Sequence, residues 1–243
     1  MPKINIGKRE IFHLCIGSGS PSVILEAGMG DISESWTHIQ PAVARFTRVL
    51  SYDRAGLGQS DIPPRPRTCQ DMVDDLQSLL AGANIPPPYI LVGHSFGGML
   101  VRLFAGQHPK DVAGMVLVDS THEDRTDGFE KVLSEELIAR NRAYLVDPSK
   151  NPELVDRIPS ELQVRDARRP FDFPLAVLTR GLPDEPDNIW PSAELQCVER
   201  ELQIEFLKLS PKSSLVIAEK SGHWIQNDQP ELVIDAIRKV MGK

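Results

Sequence analysis

Apolar and polar positions along the chain follow two rhythms in turn. Short runs with alternating or unbroken apolar character read as strands. These are EIFHLCI (10–16), SVILEAG (22–28), TRVLSYD (47–53), YILVG (89–93), GMVLVDS (114–120), PLAVLTRG (174–181) and SSLVIAEKSG (213–222). Between them lie stretches with helical spacing. HIQPAVARF (38–46) carries Ile39, Val43 and Phe46 on one face. In residues 68–85 the face is Met72, Val73, Leu76, Leu79 and Leu80, with Thr68 placed as an N-cap. After Ser95 come Met99, Leu100, Leu103 and Phe104 at the same spacing, and residues 193–209 and 230–241 complete the set. Strand and helix units in series predict a mostly parallel sheet with helices on both faces. The strictly alternating run at 10–16 predicts an antiparallel strand. Residues 120–170 break the rhythm. They are charged and punctuated by proline, with helical pieces such as KVLSEELIARNRAYL (131–145). This stretch reads as an insertion above the C-terminal edge of the sheet, where ligands bind in such folds. The expected organisation is a core of residues 1–119 and 171–243 with a cap insertion at 120–170.

Composition narrows the function classes. A chain of 243 residues, 41% hydrophobic and 25% charged, suits one globular domain with an inserted subdomain. The net charge of −7 and scattered basic residues do not suggest a nucleic-acid partner. The tightest basic group, Arg165, Arg168 and Arg169, reads as a solvated helix face. Cys15, Cys69 and Cys197 have no zinc-type spacing and read as ordinary small apolar residues in a reducing compartment. The N-terminal MPKINIGKRE lacks the apolar run of a signal peptide, and no stretch nears the ~20 apolar residues of a membrane span. A cytoplasmic protein without membrane partners is expected; oligomeric state is not legible.

The segment YILVGHSFGGML (89–100) places Ser95 between a buried strand and a helix, flanked by Gly93 and Gly97. This is the pattern of a nucleophile elbow. A sharp turn lifts the serine hydroxyl off the sheet and brings the backbone two residues before and two after so close that a Cβ would collide. A bare G-x-S-x-G arises by chance in roughly one chain of this length in ten, so the strand–turn–helix context carries the reading.

With this elbow the chain resembles the α/β-hydrolase family over nearly its whole length. EAGMGDISESW (26–36) stands where that family has its oxyanion loop. YDRAGLGQSD (52–61) is similar to the loop after the next strand, VGHSFGG (92–98) to the elbow, and SGHWIQNDQPE (221–231) to the terminal histidine segment. The resemblance implies an eight-stranded, mostly parallel sheet flanked by helices, and a helical cap after the sixth strand. It also implies a serine nucleophile. A serine hydroxyl needs a base, and histidine suits that role near neutral pH. His223, after the last strand, fits the order Ser, acid, His; His94 reads as a structural neighbour.

The acid remains open between two positions. Asp119 ends the sixth strand, a place some branches of the family use. Asp184, in GLPDEPD (181–187), follows the seventh strand, with Glu185 and Asp187 close behind. The backbone N–H groups of Phe96 and Met29 are the expected oxyanion hole. Ala27 stands where the family usually has histidine before Gly28, so the support of that loop is in question. Asp53 and Arg54 are expected to tie the loop that follows to its neighbours; AGLGQS (55–60) lacks the remaining residues of a nucleotide-binding loop. Gly28, Trp36, Trp190 and Trp224 are candidates for an apolar substrate wall.

The expected activity is hydrolysis of a small, mostly uncharged ester, lactone or related acyl compound through an acyl-enzyme on Ser95, without metal or organic cofactor. Alternatives on the same fold are a carbon–carbon bond hydrolase, an aminopeptidase, and a small-ligand receptor without activity.

Overall fold

The computed structural model describes residues 3–64, 66–185 and 189–243. Its strands are β1 (Lys3–Asn5), β2 (Glu10–Ile16), β3 (Ser22–Glu26), β4 (Val49–Tyr52), β5 (Tyr89–His94), β6 (Val112–Val118), β7 (Leu175–Arg180) and β8 (Ser213–Ala218). The helices are α1 (Gln40–Val43), α2 (Cys69–Gly82), α3 (Gly97–Gln107), α4 (Arg125–Glu130), α5 (Glu135–Leu145), α6 (Arg157–Ala167), α7 (Ser192–Glu205), α8 (Ile225–Asp228) and α9 (Pro230–Val240). The strands form one eight-stranded sheet in the order β1-β2-β4-β3-β5-β6-β7-β8. β2 runs antiparallel to both β1 and β4, and the pairs from β4 to β8 are parallel. The eight-stranded, mostly parallel α/β sheet expected from the sequence is therefore present.

The unbroken apolar runs are explained by burial on both faces. On β5 and β6, Leu91, Met115 and Leu117 face one hydrophobic cluster with α2 and α3. Their sequence neighbours Ile90, Val92, Val116 and Val118 face a second cluster with Ile225 of α8 and Val233 and Ile237 of α9. Period-two alternation thus feeds two cores from one strand. α2 begins with a capping box in which the Thr68 side chain and Asp71 satisfy each other's backbone N–H groups.

Residues 120–170 contain α4, α5 and α6, and they are not uniform. Val164 of α6 joins the cluster that holds α2 and α3. Ser160 accepts the Cys69 N–H, and the Gln163 amide oxygen accepts that of Gln70. Gly106 of α3 lies so near α6 that a Cβ would sit 2.4 Å from the Ala167 carbonyl oxygen. The last helix of the expected insertion therefore packs onto the core. Arg165 and Arg168 do not form a merely solvated face: Arg165 pairs with Asp124 and Asp127, and Arg168 with Glu123 and Asp124. No helix among the described residues is long and apolar enough to cross a membrane. Cys15, Cys69 and Cys197 are free, with only Cys69 buried.

Candidate active site

Ser95 sits between the end of β5 and the start of α3 with φ of 51°, in the left-handed region that a side chain rarely adopts. The turn is pinned on both sides: the Ser95 N–H donates to the Val118 carbonyl at 3.1 Å, and the Thr121 N–H donates to the Ser95 carbonyl at 3.0 Å. The flanking glycines are required by contact. A Cβ at Gly97 would lie 2.4 Å from the Glu26 carbonyl oxygen, and one at Gly93 would lie 2.7 Å from the Gly97 carbonyl oxygen.

Ser95 and His223 line one cavity of about 310 Å³, together with Asp119, Met29 and Phe96. His223 Nδ1 and Asp119 Oδ2 are 2.6 Å apart, which aligns the imidazole. Asp119 occupies a turn with φ of 40° directly after β6. Its other oxygen accepts the Arg180 backbone N–H at 3.1 Å, and Arg180 Nε lies 3.3 Å from Oδ2. Burial pushes this carboxyl up, but the hydrogen bond to His223 and the Arg180 charge outweigh burial and hold it below the usual carboxylate range. Asp184 does not reach the imidazole. It pairs with Arg180 instead, and its side chain is 63% exposed. Asp187 lies outside the described residues.

His94 buttresses the histidine loop. Its Nε2–H donates to the His223 carbonyl at 2.9 Å, and the two rings pack at 4.7 Å. Burial lowers the pKa of His94, opposed by the nearby Asp31 carboxylate.

The Met29 and Phe96 N–H groups find no protein acceptor among the described residues. The loop carrying Met29 is held by charge rather than by residue 27. Arg54 donates from Nη1 to the Ala27 carbonyl at 2.7 Å and from Nη2 to the Gly28 carbonyl. Glu153 accepts the Gly30 N–H at 2.8 Å while bonded to both Arg54 and Arg67. All three charged side chains are buried. Asp53 accepts from the Ser33 backbone and hydroxyl, at 2.9 and 2.7 Å. The expected tying role of Asp53 and Arg54 thus has a structural counterpart. Glu153 carried no sequence signal, because a lone acid in a charged segment looks solvated.

The expected apolar wall needs correction. Trp36 is fully buried in the cluster beneath α8 and α9 and cannot touch a ligand. Trp190 stands 5.8 Å from the Arg140 guanidinium of α5 and is not among the residues that line the cavity. Gly28 packs against His94 and Asp31, where a Cβ would come within 2.9 Å of each. Trp224 does line the cavity and is half exposed. The remaining walls are more charged than the sequence reading allowed, with Arg125, Arg157, Arg180, Asp184 and Glu199 among them.

His122, Glu123 and Asp124 bring potential metal-ligand atoms within 4.8 Å of one another. Glu123 is paired with Arg102, however, and Asp124 with Arg165 and Arg168. Three guanidiniums around these acids disfavour a cation there.

The comparisons with known proteins agree with this architecture. YqjL of Bacillus subtilis (strain 168), described as uncharacterized, is 31% identical over 92% of this chain and 85% of its own length. The enol-lactonase of Burkholderia xenovorans LB400 superposes with a TM-score of 0.71 at 17% identity, covering 100% of both chains. A thermophilic esterase from Thermogutta terrifontis gives 0.65 at 23% identity, over 99% of this chain and 97% of its own. Identities this low show a shared fold. The family model described as alpha/beta hydrolase fold matches residues 21–174, more than half of the sequence, and the chain belongs to that family.

Proposed function

We propose that the protein is a serine hydrolase that cleaves a small ester, lactone or related acyl compound through an acyl-enzyme on Ser95. The observation that carries this reading is the strained turn at Ser95 opening into the cavity that also holds the 2.6 Å His223–Asp119 pair. His223 takes the Ser95 proton as the hydroxyl oxygen attacks the acyl carbon. Asp119 keeps the proton of the neutral ring on Nδ1, leaving Nε2 to act as base, and stabilises the imidazolium. The tetrahedral oxyanion is received by the Met29 and Phe96 N–H groups, the latter at the N-terminus of α3. His223 then protonates the leaving group and activates the water that releases the acid. These roles need no metal or organic cofactor.

Residues 120–170 are read as the cap insertion, with α4 and the first turn of α6 over the cavity and the rest of α6 packed on the core. An aminopeptidase reading finds little support. Among the described residues the acids in the cavity, Asp119, Asp184 and Glu199, are each already paired with Arg125, Arg180 or His223, so none of these is free for a substrate amine. The test is turnover of p-nitrophenyl esters of graded acyl length alongside aryl lactones. Wild-type protein is expected to hydrolyse the short members, and Ser95→Ala to lose at least about 10³-fold in kcat. Equal rates for the two proteins would defeat the proposal.

A further inference from the structure

The arginines that line the cavity differ in what they have to bind. Arg180 is saturated by Asp119, Asp184 and Glu199. Arg125 reaches Glu199 at 2.9 Å. Arg157, the first residue of α6, is only 9% exposed yet makes one long contact, from Nη2 to Glu161 Oε1 at 3.2 Å. Its Nε is buried with no hydrogen-bond partner. Glu161 is a weak counter-charge, since it is shared with the Thr126 hydroxyl and burial pushes its carboxyl up. A guanidinium carries five N–H donors, and buried polar groups in folded proteins are nearly always satisfied. Nε itself is out of a ligand's reach, but Nη1 is not fully buried and has no partner among the described residues, and an N–H edge left unmet in a cavity wall points to an acceptor that arrives with the ligand.

A second donor shares this wall. The His122 ring stacks on Phe206 at 4.7 Å, and its Nδ1 accepts the Asp124 N–H at 3.0 Å. That bond places the ring proton on Nε2. Among the described residues Nε2 has no acceptor, and His122 lines the same cavity as Arg157. Two residues of the lining thus carry uncommitted donors, while the acids beside them are already paired.

We infer that the cavity takes a substrate bearing a free carboxylate in addition to its scissile acyl group, with Arg157 binding that carboxylate and His122 Nε2–H as a second donor. A planar two-oxygen anion matches the edge of a guanidinium better than a point acceptor does. The substrate class is a monoester of a small dicarboxylic acid, or a lactone carrying a carboxylate. This departs from the uncharged substrate expected from the sequence. It rests on the acyl-hydrolase reading only for which group reacts.

Binding to Ser95→Ala protein tests the inference without turnover. Monomethyl esters of the dicarboxylic acids from malonate to adipate are titrated calorimetrically, each beside its neutral ω-amide. At least one acid is expected to bind about 10-fold or more tightly than its amide. Adding Arg157→Gln is expected to erase that preference, and Arg157→Lys to keep part of it. Equal binding of every acid and amide, no binding of any, or a preference that survives Arg157→Gln would overturn the inference. If the Arg157 variants fail to fold, the acid–amide comparison with Arg157 intact decides alone. Failure of the acyl-hydrolase reading shows separately, as wild-type protein that hydrolyses no ester.

Discussion

His223 Nδ1 and Asp119 Oδ2 meet at 2.6 Å across a sequence separation of 104 residues. Asp119 reaches that place because β6 ends in a positive-φ turn beside Ser95, and Arg180 from β7 fixes the carboxylate from the far side. The imidazole therefore has its partner from the strand next to the elbow. The end of β7 contributes a cation behind that partner, and Asp184 in the loop that follows pairs with this cation and not with the imidazole.

Asp119→Asn is expected to lower kcat by up to about 10⁴-fold, because an amide in that position favours the wrong imidazole tautomer. Asp184→Asn is expected to stay within about twofold of wild type, since its partner is Arg180 at an exposed position. Steady-state kinetics on a p-nitrophenyl ester compares the two; the reverse ranking would reassign the acid.

These two carboxylates show where the sequence stopped being informative. The elbow and His223 were legible because each depends on local pattern and chain order. Which carboxylate meets the imidazole depends on which of two loops turns inward, and that follows from Arg180 and the turn at Asp119. The tryptophans failed for a related reason. Trp36 and Trp190 have no positional signal that separates core packing from a ligand wall. α6 was hidden because it turns polar residues inward: Arg157, Ser160 and Glu161 are buried along with Val164. Such a helix looks solvated in a hydrophobicity pattern.

Glu153 links the loop that carries Met29, proposed to hold an oxyanion donor, to residues 120–170 by accepting the Gly30 N–H while bonded to Arg54 and Arg67. Glu153→Ala would leave two buried guanidiniums short of a counter-charge and is expected to cost about 3–5 kcal/mol of stability by urea denaturation. Glu153→Gln keeps the shape and weakens the clamp. It is expected to lower kcat about 10- to 100-fold, less than the loss of both oxyanion donors, with a smaller change in KM. An unchanged kcat would separate this clamp from Met29.

Gly97→Ala is expected to destabilise the protein by about 1–3 kcal/mol, because its Cβ would press on the carbonyl oxygens of Glu26 and Ala27 at 2.4 and 2.5 Å. The turn and the neighbouring segment at Glu26 and Ala27 would have to separate. Thermal melting and kcat should fall together; a variant with wild-type melting would contradict the close approach.

Burial is the main cause that pushes the His122 imidazole down to about 4, with Arg102 adding to it and Glu123 and Asp124 opposing. An unfolded histidine takes its proton near pH 6.5. Between about pH 6.5 and 4 the unfolded chain binds the proton and the folded protein resists it, so stability falls as pH drops through that window. Denaturation midpoints measured from neutral pH downward should fall accordingly, and His122→Asn should flatten part of the decline. His13 and His94, also lowered mainly by burial, contribute with the same sign and remain in the variant. An identical pH slope in wild type and variant would contradict the assignment.

One serine, set on a bent backbone in the cavity that holds the aligned imidazole, is proposed as the reacting group. Treatment with a fluorophosphonate followed by peptide mass spectrometry addresses it most directly. A single adduct on Ser95 is expected in wild type, with none in Ser95→Ala and slowed labelling in Asp119→Asn. Wild-type protein that stays unlabelled, or an adduct on another residue, would contradict the account.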